Sequence, residues 1–179
     1  YGDSKEHFND LKKEFEGDFD ILTLNGFFNL SDGNYSWGKV GYKEETNTWF
    51  DEKDGRYSTY KLRDYFKEER REIILIGVSQ GATIGYSLAI NYPKTFKSLV
   101  AINGYAQKGL MINVYHPIYS GYRILRINGK NDFLINQNMV KTTTKILDSL
   151  DIENKIIEHQ EHHSYSKKKL LLLKIGYTI

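Results

Sequence analysis

Residues 73–82 read Ile73-Ile74-Leu75-Ile76-Gly77-Val78-Ser79-Gln80-Gly81-Ala82. A short apolar run closed by glycine is the pattern of a buried strand. The next stretch, Ala82 to Tyr92, suits a helix and is stopped by Pro93. Strand, sharp turn and helix form the context in which G-x-S-x-G becomes a nucleophile elbow, with Ser79 raised on a strained turn. Glycine is expected at 77 and 81 because side chains there would collide with the neighbouring strand and helix. The competing reading is a glycine-rich turn whose serine merely caps the helix.

The rest of the chain suits this start. It has 179 residues, 40% of them hydrophobic, enough for one globular domain with a real core. A formal net charge of +2 is too balanced to argue for a nucleic-acid partner. The absence of cysteine excludes a disulfide framework and cysteine-held metals. No apolar stretch approaches the roughly 20 residues that span a bilayer, so stable membrane insertion is not expected. No signal peptide is visible, and a cytoplasmic protein is expected, although the chain does not begin with methionine. The N-x-S sequons at Asn29 and Asn34 are near chance in an asparagine-rich chain.

Helical and strand signals alternate, which predicts an α/β fold with a mainly parallel sheet. Helices are expected over Asp3–Glu16, with Gly17 as its stop, and over Tyr57–Arg70, Ala82–Tyr92, Asn136–Leu150 and Ser164–Gly176. Tyr57, Tyr60 and Tyr65 share one side of the second, and Met139, Thr143, Ile146 and Leu150 should face inward on the fourth. Strands are expected at Phe19–Leu24, Ile73–Val78, Lys97–Asn103, Tyr122–Asn128 and Asn154–His159, and residues 25–56 read mostly as loop. The mixed-sign run Lys67–Glu72 is a solvated helix end. Lys167-Lys168-Lys169 before Leu170–Leu173 fits a helix packed on the sheet better than one lying on a membrane.

A serine hydroxyl is a poor nucleophile at neutral pH. It needs a base within hydrogen-bond reach, and the base needs an orienting carboxylate. For a serine on this kind of elbow, the chain order is Ser, then Asp or Glu, then His. The strand Tyr122–Asn128 runs into Gly129-Lys130-Asn131-Asp132, which places Asp132 at the carboxyl edge of the sheet beside Ser79. Its alternative role is an Asx turn or the cap of the next helix. Asp148 and Asp151 lie at the far end of that helix. The last strand leads into Glu161-His162-His163-Ser164. His163, His162 and His159 therefore compete as the base, whereas His7 and His116 fall outside the slot. The His162–His163 pair has no third ligand at metal-binding spacing. The backbone N–H of Gln80 is one expected oxyanion donor.

With strand–GVSQGA–helix, NGKND and EHHS in this order, the whole chain resembles the α/β-hydrolase superfamily. Within it the closest resemblance is to the phospholipase/carboxylesterase branch, which includes acyl-protein thioesterases, and to fungal-type serine hydrolases. A small residue and His before Ser is usual in their histidine loop, so the resemblance favours His163. Trp49-Phe50-Asp51 looks like a segment these enzymes place ahead of the helix preceding the elbow. The resemblance implies a sheet with helices on both faces and no cofactor. Its substrates would be small acyl esters or acylated thiols, cleaved through an acyl-enzyme by Ser79, Asp132 and His163. Members also carry an early strand ending in H-G-x-G. Tyr1-Gly2-Asp3-Ser4 looks like the continuation of that H-G, which would make the Tyr1 N–H the second oxyanion donor. The strand itself is missing between Phe19–Leu24 and the elbow strand, so an N-terminally truncated domain is expected. An upstream apolar strand in the reading frame would confirm this.

Phe27, Phe28, Trp37 and Trp49 fall in the long early loop on the active edge, where they could line an acyl pocket or simply pack beneath the loop. Residues 103–121, with Tyr105, Met111, Tyr115, Pro117 and Tyr119, hold the position of a short lid. Two rival readings remain: a non-catalytic binding protein of the same fold, and a peptidase or acyltransferase built on the same elbow. The acyl group, the oligomeric state and the choice between ester and thioester are not readable from the residues.

Overall fold

The computed structural model describes residues 5–14, 17, 19–44, 48–112 and 123–163. A 3-10 turn at Lys5–Phe8 leads into α1 (Asn9–Glu14). Two small antiparallel pairs come next, β1 (Phe28–Asn29) with β2 (Tyr35–Ser36) and β3 (Val40–Lys43) with β4 (Thr48–Phe50). Then come α2 (Glu52–Tyr65), β5 (Ile73–Val78), α3 (Gln80–Asn91), β6 (Phe96–Ile102), β7 (Arg123–Gly129), α4 (Gln137–Ser149) and β8 (Glu153–His159). The sheet runs β5-β6-β7-β8, parallel at every pairing.

Alternation along the strands divides the core between the two sheet faces. Leu99, Ala101 and Ile124 point to one face and pack with Ala82, Tyr86, Ala89 and Ile90 of α3 and Leu147 and Leu150 at the end of α4. Val100, Ile102, Leu125 and Ile127 point to the other and meet Phe8. Every residue of α3 except Gly81 is buried, so this helix runs through the interior rather than along its surface.

The strand ends are hooked together in series. Ser79 N–H donates to Ile102 O, Asn103 N–H to Ile127 O, and Lys130 N–H to His159 O, each at 2.8 Å. Each chain leaving its strand at the carboxyl edge is thereby tied to the next strand along.

Three expectations for the early chain need correction. Phe19–Leu24 forms no strand. A strand needs a ladder partner, and among the described residues none runs beside it. Instead, Leu24 packs against the cluster around Phe96, and Asp20 is joined to Arg71 at 2.7 Å. Among the described residues β5 is accordingly an edge strand, with Ile76 42% exposed. Residues 25–56 hold two hairpins rather than mostly loop, and α2 starts five residues earlier than expected, capped by the Asp51 carboxylate on the Asp54 N–H. The three tyrosines of α2 face solvent, while its buried face is Gly55, Ser58, Thr59 and Leu62. Small residues there let α2 approach α3 closely enough for Thr59 Oγ1 to reach Ser87 Oγ at 3.0 Å. The first helix begins as 3-10 at Lys5–Phe8, residues 3, 4, 15 and 16 of its expected span lie outside the described residues, and Gly17 takes the positive φ (93°) of a helix stop. The expected helix Ser164–Gly176 lies outside the described residues.

A guanidinium lies wholly inside. Arg126 is 1% exposed and donates to Thr144 Oγ1 (2.7 Å), Asn154 Oδ1 (3.2 Å) and the Val140 carbonyl (2.8 Å). The nearby Tyr86 hydroxyl is pushed up to about 12 by burial, against the opposing pull of the Arg126 charge. The folded protein therefore holds this phenolic proton above pH 10, where an unfolded tyrosine begins to release it. The resulting stability is full below pH 10 and is lost as pH climbs towards 12. Tyr105 is pushed to about 12 for the same reason. Tyr86→Phe should flatten, and Tyr86→Phe with Tyr105→Phe should largely abolish, the fall in Tm between pH 10 and 12, read by circular dichroism.

Candidate active site

The elbow takes its shape from backbone packing. Ser79 sits at φ 53°, ψ −116°, a region costing about 1–3 kcal/mol for a residue with a side chain. Gly77 is obligatory, because a Cβ there would lie 2.5 Å from the Gly81 carbonyl oxygen and 2.6 Å from the Ala82 nitrogen. Gly81 is under no such constraint: a Cβ there would meet only the Trp37 indole nitrogen, at an ordinary 3.6 Å.

The Ser79 hydroxyl makes no capping bond to α3. It lies 2.9 Å from Nε2 of His163 instead, and Nδ1 of the same ring lies 2.7 Å from Oδ2 of Asp132. A carboxylate oxygen accepts, so Nδ1 carries the proton and Nε2 is left to accept from the serine. Asp132 is buried, and its second oxygen, Oδ1, accepts the N–H groups of Leu134 and Ile135 at 2.9 Å each. The residue thus meets two geometries, one on each oxygen: the Asx turn fixes the carboxylate, and Oδ2 faces the imidazole. The cap of α4 is Asn136, not Asp132.

The two other histidines point elsewhere. His162 is exposed, with Nδ1 on the Asn131 carbonyl at 2.9 Å. His159 closes β8. The histidine loop passes so close to the end of β7 that a Cβ on Gly129 would come within 2.4 Å of the Glu161 carbonyl oxygen and 2.9 Å of that of His162. Sequence reasoning did not single out this glycine, although it stands at the head of the acid turn, directly after Asn128.

The Gln80 N–H is the first of α3 and has no acceptor within the helix. It is thus placed, one residue beyond the serine, to meet an oxyanion. Tyr1, the other expected donor, lies outside the described residues. The expected pocket aromatics fall into two groups. Phe27 and Trp37 meet edge to face at 5.5 Å beside the first turn of α3. Trp49 meets Tyr42 at a tilt of 43°, ring centroids 5.0 Å apart, and packs with Tyr105, Ile135 and Met139 next to the Asp132 turn. Phe28 belongs with Tyr57. Tyr105 is buried, so it supports this wall rather than covering the site; it accepts from the Trp49 N–H and donates to Gln107 Oε1. Tyr115, Pro117 and Tyr119 lie outside the described residues. No described helix is long and apolar enough to cross a membrane.

The family model for Serine hydrolase (FSH1) matches residues 4–173, and the chain belongs to that family. It is a serine hydrolase. Solved structures share its α/β-hydrolase fold. A Bacillus cereus carboxylesterase superposes with a TM-score of 0.82 at 18% identity, over 98% of this chain and 82% of that one. Arabidopsis thaliana SOBER1 gives 0.74 at 18% identity, over 97% and 91%. YahD with malic acid gives 0.80 at 16% identity, over 99% and 88%. No relative was found among curated protein sequences.

Because two carbonyls of the histidine loop crowd Gly129, Gly129→Ala should displace His163 from Ser79. A shift of about 1 Å in such a site costs on the order of a hundredfold. The kcat for an activated ester should fall by about that factor, while far-ultraviolet circular dichroism stays that of the parent.

Proposed function

We propose that this serine hydrolase cleaves carboxylic esters or thioesters of small acyl groups through an acyl-enzyme on Ser79. The observation that carries the reading is the unbroken relay from Ser79 Oγ through both nitrogens of His163 to Asp132 Oδ2, at 2.9 and 2.7 Å.

The steps derive from the groups in place. Ser79 Oγ attacks the acyl carbon as its proton passes to His163 Nε2. The carbonyl oxygen becomes an oxyanion facing the Gln80 N–H, a donor type worth about 2.7–4 kcal/mol to the transition state. The bond to the leaving alcohol or thiol breaks, and Nε2 returns the proton to that group. Water then repeats the sequence on the acyl-enzyme and frees Ser79. Asp132 holds Nδ1–H throughout, keeping the ring in the tautomer that accepts from serine and stabilising its cationic form.

Ser79→Ala should lower hydrolysis of p-nitrophenyl butyrate by more than about 10⁴-fold without changing Tm. A fluorophosphonate probe should label the parent protein and leave this variant unlabelled. An unchanged rate in Ser79→Ala would overturn the assignment, and failure of the parent to label would favour a non-catalytic binding protein.

A further inference from the structure

The Gln80 side chain does something its backbone does not. It is 6% exposed, and both ends of its carboxamide grip the loop between β2 and β3. Oε1 accepts the Trp37 N–H at 2.7 Å, and Nε2 donates to the Gly38 carbonyl at 2.8 Å. The amide thus pairs with two consecutive residues much as a neighbouring strand would. Other ties on this stretch run to α2 and its cap: Ser58 Oγ donates to Trp37 O at 2.6 Å, Asp54 Oδ2 accepts from Lys39 N–H at 2.9 Å, and the Asp51 N–H donates to Lys39 O at 3.0 Å. Gln80 adds a tie from the element that carries the nucleophile. The tethered indole stands with Nε1 3.6 Å from the Cβ position of Gly81, two residues beyond Ser79, and its ring meets Phe27 edge-on. An acyl chain leaving Ser79 along α3 would run against this aromatic wall.

We infer that the Gln80 carboxamide is a positioning residue that sets acyl selectivity by holding Trp37 beside Ser79. The inference rests on the acyl-enzyme reading above. One residue then serves twice: its N–H faces the developing oxyanion, and its side chain locates the surface that reads the acyl group. Substrates with an apolar chain long enough to reach Trp37 and Phe27 depend on the side chain, whereas an acetyl group, which ends at the elbow, does not.

The test compares p-nitrophenyl octanoate with p-nitrophenyl acetate. Gln80→Ala should lower the octanoate-to-acetate ratio of kcat/KM about tenfold, mainly through KM for octanoate. Trp37→Ala should do the same, and the double variant should lose little more, as two residues acting through one contact do. Gln80→Glu keeps the acceptor for Trp37 N–H but sets a carboxylate oxygen against Gly38 O, and should fall between. In a Trp49→Phe background, acrylamide quenching of Trp37 emission should rise on Gln80→Ala. Equal loss on both esters, with unchanged quenching, would overturn the inference and assign the side chain to the oxyanion turn itself. The quenching readout needs no turnover and stands whatever the catalytic outcome. Fluorophosphonate labelling of the parent tests the acyl-enzyme reading separately.

Discussion

The N–H of Ser79 donates to the carbonyl of Ile102 at 2.8 Å, and the geometry of the site hangs from that bond. It holds a residue in a backbone conformation that would otherwise relax at a gain of a few kcal/mol. The Ser79 carbonyl is equally occupied, by the N–H groups of Ala82 and Thr83. Both restraints end on buried elements, so the strain is opposed by the packing of β6 and α3 and not by anything at the surface. From there the strand-end hooks continue through Asn103 to Ile127 and through Lys130 to His159. Asn103, itself at φ 47°, adds its side-chain oxygen to the Gly129 N–H at 3.1 Å. Ser79, Asp132 and His163 lie far apart in sequence, yet each is one short turn from this row of linked strand ends.

Asp132 shows how local and distant demands can be met by one side chain. A carboxylate in a turn is usually satisfied by neighbouring backbone N–H groups, and a carboxylate behind a histidine is usually buried. Asp132 does both by dividing its oxygens. The turn consumes Oδ1 and thereby leaves Oδ2 a single orientation, which is the one His163 needs. The imidazole is oriented from behind, and its tautomer follows from the fact that a carboxylate can only accept.

The segments that bring Ser79, Asp132 and His163 together were more legible in the sequence than the early chain was. Strand–elbow–helix, acid turn and histidine loop are each local patterns, and their order follows from the fold they build. Ile73–Val78 was read to the residue, and the other sheet strands to within one. Which histidine would face Ser79 was not readable from pattern alone, because His162 and His163 are adjacent; the loop's close passage over Gly129 accompanies the placement of His163, and not its neighbour, against Ser79. Phe19–Leu24 has the composition of a strand, but strand formation is a property of a pair, and no local pattern reports whether the partner is there. The tyrosines of α2 share one side as their spacing suggests, and that side faces solvent, because close helix packing put Gly55, Ser58 and Thr59 inside. The grip of Gln80 on Trp37 and Gly38 left no mark in the sequence, since its partners are backbone groups more than forty residues away.

Arg126 gives the core something that apolar packing cannot. A guanidinium taken out of water is costly, and among the described residues no carboxylate faces it. Its hydrogen bonds run to neutral oxygens on α4 and on Asn154. Hydrocarbon surfaces can slide against one another by a fraction of a side chain, but a planar fork aimed at the Val140 carbonyl and Thr144 hydroxyl accepts one placement of the helix. Because α4 begins directly after the Asp132 turn, the buried cation works as an index pin. It sets the helix against β7 and so fixes the distance from which Asp132 reaches His163. Its partners being neutral, that setting persists through the whole range of pH over which carboxylates gain and lose their protons.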